Sequence, residues 1–223
     1  MKRLYLACVG VVALAGAAAA ADLPRPAPYY PPAAPVYAPA YTWSGFYLGI
    51  NGGGGWGTSA WDSTGSFDIS GGLVGGTVGY NYQIGGAVIG VEGDIDWADI
   101  NGSATNLACP LGCKTSETWL STVRGRLGYA ADRFMPFVTG GLAIGDIRAS
   151  TPGFAGASTT NAGWTIGAGL EAAVSQNWTA KVEYLYVDLG NFNCGLNCGG
   201  GLATDNVSFH SNILRAGVNY RFN

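Results

Sequence analysis

The chain has 223 residues, enough for one domain or a single barrel. Hydrophobic residues make up 48% and charged residues only 11%, far below the roughly 25% charge of soluble domains. The net charge of −3 comes with no basic stripe to neutralise phosphates, which argues against a nucleic-acid partner.

Lys2 and Arg3 form a short positive segment, Leu4 to Leu14 is apolar, and Ala15 to Ala21 is rich in small residues, with an A-x-A site at Ala19 and Ala21. This pattern predicts a secretory signal peptide over residues 1–21. An uncleaved anchor helix is the weaker reading, because the alanine-rich end is a poor lipid-spanning surface. Cleavage removes Lys2 and Arg3 and moves the formal charge from −3 to −5. Residues 22–42 are dense in Pro, Ala and Tyr; such a segment favours extended polyproline conformation and cannot bury a core. It is expected to be a periplasmic arm, with the folded domain spanning residues 43–223.

From Trp43 onward the chain alternates with period two, the mark of strands with two unlike faces. The first strand sets Phe46, Leu48 and Ile50 against Tyr47, Gly49 and Asn51. The second sets Val74, Val78, Tyr80 and Tyr82 against Leu73, Gly75, Thr77, Gly79 and Asn81. In the third, Ala87, Ile89, Val91, Ile95 and Trp97 share one face and Glu92, Asp94 and Asp96 the other. The fourth carries Trp119, Val123, Leu127 and Tyr129 opposite Thr118, Thr122, Arg124 and Arg126. The fifth carries Phe134, Val138, Leu142 and Ile144 opposite Thr139, Gly141, Ala143 and Gly145. The sixth places Trp164, Ile166, Ala168, Leu170, Ala172 and Val174 opposite Glu171. The seventh places Trp178, Val182, Tyr184 and Tyr186 opposite Lys181 and Glu183. The last, from Ser208 to Asn223, sets Leu214, Ala216, Val218, Tyr220 and Phe222 against Ile213, Arg215, Gly217, Asn219 and Arg221.

Tight turns are expected near 83–86, 131–133 and 175–177, and long polar loops near 58–66, 99–116, 149–161 and 189–206. Short and long links in strict alternation predict an all-β fold: an eight-stranded, antiparallel, up-and-down transmembrane β-barrel with both termini periplasmic. The apolar faces then meet lipid. The charges point into the bore: Glu92, Asp94, Asp96, Glu171 and Glu183, with Arg124, Arg126, Lys181, Arg215 and Arg221. An eight-stranded bore is only wide enough for side chains, so ion pairs and trapped water are expected to fill it. Structurally these charges are a plug; as a second reading they line a narrow ion path.

Other motifs carry less. Gly52 to Gly57 fits G-x-G-x-x-G, but no helix pattern follows and no βαβ unit exists, so a dinucleotide site is excluded. Cys109 and Cys113 fall in the second long loop and Cys194 and Cys198 in the fourth. In an exported protein disulfides are expected. Two local pairs are preferred among the three connectivities, with a four-thiolate metal site as the weaker alternative. His210 is the sole histidine; beside Asp205, Ser208 and Ser211 it suggests a rim residue at lipid headgroups before it suggests a catalytic base.

Asp22-Leu23-Pro24, the proline-rich arm, Trp43-Ser44-Gly45-Phe46-Tyr47-Leu48-Gly49 and the glycine run after it resemble the small outer-membrane β-barrel proteins of alphaproteobacteria. That porin family includes the major surface antigens of Brucella. The tail from Arg215 to Phe222 resembles its closing strand, whose final aromatic the barrel-assembly machinery recognises; Tyr220 and Phe222 stand in that place, with Asn223 added. The resemblance implies an abundant surface protein that supports envelope integrity and presents loops outside. It also implies, as alternatives, a narrow porin-like channel or a surface receptor or adhesin with haemin as a ligand; it carries over no residues for these, and the loop aromatics Phe154, Phe192 and Phe209 are the contacts this sequence offers haemin. Expected partners are outer-membrane lipids and lipopolysaccharide, the assembly machinery and, further out, host surfaces or haemin. No enzymatic activity, cofactor or metal is expected.

Overall fold

The computed structural model describes residues 41–61, 65–106, 109–150, 157–193 and 206–222; the expected signal peptide and most of the expected arm fall outside them. Eight strands follow in chain order: β1 (Gly45–Trp61), β2 (Gly65–Ile84), β3 (Ala87–Asn106), β4 (Cys109–Tyr129), β5 (Phe134–Ser150), β6 (Ala157–Ala173), β7 (Trp178–Asn193) and β8 (Asn206–Phe222). Each pairs antiparallel with its chain neighbours, and β1 closes on β8 from Phe46 opposite Phe222 to Trp61 opposite Val207. The expected eight-stranded closed barrel is the observed fold. Closure leaves no open edge, and every wall backbone group can find its partner within the sheet, as a lipid solvent requires.

Three tight turns gather at one end of the barrel. Gly85 and Gly86 join β2 to β3, with Gly85 at φ 61. Ala130 to Arg133 join β4 to β5, with Asp132 at φ 55, a left-handed geometry that Asp tolerates. Val174 to Asn177 join β6 to β7. The first described residues and the end of β8 lie here too, and we term it the turn end; the opposite end is the loop end.

The outer wall is apolar. Ile50, Val91, Val123, Leu142 and Val182 are all exposed on it, and they mark the level of the hydrocarbon. Two aromatic belts bound this band. At the loop end stand Trp56, Trp97, Trp119, Trp164 and Tyr186, with Trp97 opposite Trp119 and Trp164 packed on Tyr186 at 5.4 Å. At the turn end stand Phe46, Tyr129, Phe134, Trp178, Tyr220 and Phe222, with Trp178 edge-on to Tyr220 and Tyr220 edge-on to Phe222. Amphipathic rings gather at such interfaces. From Phe46 to Trp56, or from Trp119 to Tyr129, a strand spends about 11 residues between belts, what a tilted crossing needs.

The strands run well past the loop-end belt, and this corrects the expected loop boundaries. Within the stretches read as loops near 58–66, 99–116, 149–161 and 189–206, residues 58–61, 65–66, 99–106, 109–116, 149–150, 157–161, 189–193 and 206 are strand, and the others lie outside the described residues. The physical reason is solvent. Beyond the headgroups the outer face meets water while the inner face packs apolar side chains, so the apolar-out, polar-in alternation fades while the backbone ladder continues. A second correction concerns Thr118, expected on the inward face. The register of β4 slips against both neighbours at this point: Trp119 faces Trp97 and Glu117 faces Ile100, with two residues of β3 between them. A bulge also falls between Glu117 and Trp119 against β5. A bulge re-aims the side chains around it. Glu117 is thereby turned into the bore, and Thr118 instead donates to Asp146 Oδ2 at 3.0 Å.

A charge on the outer band measures whether lipid is its solvent. Val123→Arg should destabilise the folded barrel by about 2–4 kcal/mol, whereas Val123→Leu should leave it nearly unchanged. Urea-induced unfolding in lipid vesicles reads both.

Candidate functional site

The bore is filled in three layers, and the middle one is ionic. Arg124 on β4 is its hub. Its Nη2 lies 2.6 Å from Glu92 Oε1 and 2.6 Å from Asp94 Oδ2, its Nη1 lies 2.6 Å from Glu183 Oε1, and its Nε donates to Thr122 Oγ1 at 2.8 Å. Arg215 on β8 completes the ring, with Nη1 at 2.6 Å from Asp96 Oδ2 and Nη2 at 3.0 Å from both Asp94 Oδ2 and Glu183 Oε2. Lys181 Nζ reaches Glu92 Oε2 at 2.8 Å, and the Tyr47 hydroxyl donates to the same oxygen at 2.8 Å. Arg126 pairs with Glu171 and lies 3.7 Å above the ring of Phe137; Glu171 also accepts from Thr179 and Asn219. All of these charged side chains are essentially inaccessible. Burial of this kind is tolerable only where each charge meets opposite charge and its remaining hydrogen-bonding sites are used.

Large inward groups fit because glycine stands beside them. A Cβ at Gly79 would lie 2.3 Å from the Tyr47 hydroxyl, and one at Gly169 would lie 2.6 Å from the Phe137 ring. The narrow bore therefore alternates bulk with its absence, from strand to neighbouring strand.

Arg221 departs from the expected set. Among the described residues it has no carboxylate partner; its Nη1 binds the Tyr41 hydroxyl and its Nη2 donates to the Ser44 carbonyl at 2.7 Å. It belongs to the second layer, at the turn end. There Trp43 is fully buried with Val88, Met135 and Ala173. Its backbone N–H donates to Gln83 Oε1 at 2.7 Å and its indole N–H to the Asp132 carbonyl at 3.1 Å. Gln83 in turn donates its backbone N–H to Ser44 Oγ at 2.9 Å. The lead-in to β1 is thus folded back into the bore as a stopper.

The third layer, at the loop end, corrects the expectation that ion pairs and trapped water fill the bore. Ile69, Leu73, Ile100, Leu120, Ala143, Ile147, Leu185, Val187, Leu189, Phe209 and Ile213 pack there as one dry cluster. Phe209, expected among loop aromatics for haemin, is fully buried in it. Phe154 and the side chain of Phe192 lie outside the described residues. Embedded in this cap is Glu117, 1% exposed, with neither carboxylate oxygen hydrogen-bonded among the described residues. It stands two residues beyond Trp119, outside the belt and so outside the membrane-spanning part of β4. Burial first, and then the negative charge of Asp96, push its pKa up to about 8. Sequence reasoning missed Glu117 because the bulge reverses the parity that located the other acids.

His210 lies on the outer wall, its ring stacked near Tyr186 and its Nδ1 3.6 Å from Asp188 Oδ1. Cys109 and Cys113 fall within β4, not in a loop. Their side chains, and Cys194 and Cys198 altogether, lie outside the described residues. Along an extended strand, positions four apart are separated by about 13 Å, and a disulfide requires Cα atoms within about 7 Å. A Cys109–Cys113 bond therefore needs β4 to begin after Cys113.

A closed eight-stranded wall with belts of aromatics and a filled bore defines an outer-membrane barrel. The chain belongs to the family of the outer membrane protein beta-barrel domain, which matches residues 6–222. It is similar to the 31 kDa outer-membrane immunogenic protein of Brucella melitensis, 39% identical over 246 aligned positions that cover 100% of both chains. The 25 kDa outer-membrane immunogenic protein of Brucella canis is 33% identical, covering 100% of this chain and 99% of that one. The 22 kDa outer membrane protein of Rhizobium leguminosarum bv. viciae is 37% identical over 82% of this chain and 80% of its own. The protein is a surface barrel of the outer membrane, in contact with its lipids.

Removing the hub tests the ionic layer. Arg124→Leu leaves Glu92, Asp94 and Glu183 undercompensated and should cost about 3–5 kcal/mol. Arg148→Leu, which removes an exposed guanidinium from its pair with Asp146, should cost less than about 1 kcal/mol. The temperature at which the compact gel band of the folded barrel is lost ranks the two.

Proposed function

We propose that this barrel is a closed scaffold: it braces the outer membrane and holds four loop-end links towards the outside, and it does not conduct. The observation that carries this reading is the filling of the bore. Its middle is occupied by mutually neutralising charges, one end by an apolar cluster and the other by Trp43. A water-filled path would need either a wider ring of strands or an inner wall whose charges face a lumen; here they face each other. With the turn end in the periplasm, as the asymmetry of short and long connections favours, the arm before Tyr41 emerges on the periplasmic side. The relatives named as outer-membrane immunogenic proteins fit a chain whose loop end faces antibodies. The aromatic pair Tyr220 and Phe222 at the end of β8 suits recognition by the barrel-assembly machinery, and lipopolysaccharide is the natural neighbour of the loop-end belt. Haemin and host surfaces keep only the loop residues around Phe154 and Phe192 as contacts. His210, held between Tyr186 and Asp188, serves as a belt residue in a protein without catalysis. Export favours disulfides among the four cysteines, in a pairing other than Cys109 with Cys113 while β4 begins at Cys109.

Two measurements test this. In planar bilayers the purified barrel should give no conductance steps at neutral pH; steps altered by Arg124→Leu or Glu92→Gln would establish the ion path instead. On intact cells, an epitope inserted at residues 153–155 should be labelled and one inserted at Gln176 should not; the opposite result would invert the barrel.

A further inference from the structure

We propose that Glu117 is a proton-operated latch in the loop-end cap: as a neutral acid it lets the cap close dry, and as a carboxylate it draws water into the outer end of the bore. This goes beyond the closed-scaffold reading and does not require it, since the cap can take up water while the ionic layer beneath stays shut.

The placement is specific. Glu117 lies between Ile100 of β3 and Ile147 of β5 in register, both members of the apolar cluster. A Cβ added at Gly145 would stand 3.1 Å from Glu117 Oε1 and 2.8 Å from Leu189 Cδ1, so the carboxyl lies against the bare backbone of β5 beside the cap. Among the described residues, the groups that face this region from the surrounding strands offer it no cation. From β3 comes Asp96, whose Oδ2 is drawn down to Arg215 at 2.6 Å and whose Oδ1 has no hydrogen bond. On β5, Asp146 is turned to the outer face, where it binds Thr118 and Arg148. β1 supplies Ser59, which is bonded to Thr115 at 3.2 Å, and β8 supplies the unbonded hydroxyl of Ser211. β2 and β7 contribute Ile69, Leu73, Leu185, Val187 and Leu189. On the outer wall the Asp188–His210 pair faces away.

A carboxylate without a partner cannot be held in such a site; it either takes a proton or takes water. The closed cap holds the proton up to about pH 8, whereas a hydrated glutamate gives it up near its ordinary value of about 4.3. The closed form therefore binds more protons across that window. Its stability is complete in acid, declines as pH rises between the two values, and is lowest above the upper one. The bulge that aims Glu117 inward is the structural feature that creates the device, since an unbroken strand would have sent this residue to the outside.

The test uses the full-length chain folded in lipid vesicles, as wild type, Glu117→Gln and Glu117→Leu. Infrared spectra of the wild type at about pH 6 should show the carbonyl stretch of a protonated carboxylic acid that Glu117→Gln lacks, and this band should fade as pH passes about 8. Amide hydrogen exchange over residues 115–121 and 143–148, compared at equal pH so that intrinsic rates cancel, should be the same for all three proteins at about pH 6. At about pH 9.5 it should be at least about tenfold faster in the wild type than in either variant. Equal exchange at the higher pH, or a protonated-acid band no weaker in Glu117→Gln than in the wild type, overturns the latch. If neither variant gives the folded gel band, the wild type decides: a band lost between about pH 7 and 9 together with a rise in exchange confined to these two segments supports it, and a band absent at about pH 6 overturns it. Failure here leaves the scaffold reading standing, because that reading is decided by conductance.

Discussion

A sheet that closes at eight strands encloses a bore that only its own side chains can fill. Lipid forces the closure, since an open edge in hydrocarbon would leave backbone donors and acceptors without partners. Everything else in the molecule answers the question of what to put inside. The answer differs by depth. Where the wall crosses the membrane, Arg124 and Arg215 gather Glu92, Asp94, Asp96 and Glu183 into one network. At the two ends, where solvent could enter, the filling turns apolar or aromatic.

This arrangement inverts a soluble barrel and shows why the inversion is stable. The outer wall needs only to be apolar and loosely specified, because lipid adapts to it. The inner filling must be specific, because an unpaired buried charge costs several kcal/mol, on the order of the whole stability of a domain. Specificity is reached with few residue types: guanidinium forks that serve two or three carboxylates at once, and glycines across the sheet that make room for Tyr47 and Phe137.

Much of this was legible in the sequence, and the boundary of legibility is physical. Glu92, Asp94, Asp96, Arg124 and Arg126 alternate strictly with apolar residues, so period two placed them inside with no further information. Belt residues such as Trp97 and Trp164 could be read for the same reason. Glu117 could not, because one bulge changes the parity of β4 and leaves no composition signal. Leu189 and Phe209 were hidden differently. They lie where both faces of the wall are of mixed polarity, so nothing in the pattern says which way they turn. Arg221 is buried, and its partners, Tyr41 and the Ser44 carbonyl, precede the first strand and belong to no alternation at all.

The stopper at the turn end joins the two extremities of the folded chain. Trp43 and Tyr41 come before β1, and Arg221 is the penultimate residue of β8. None of these contacts can exist while the sheet is still an open ribbon, because the residues that make them are then at opposite margins. Completion of the circle and corking of its base are consequently one event, and a barrel stalled before its final strand docks is one that leaks.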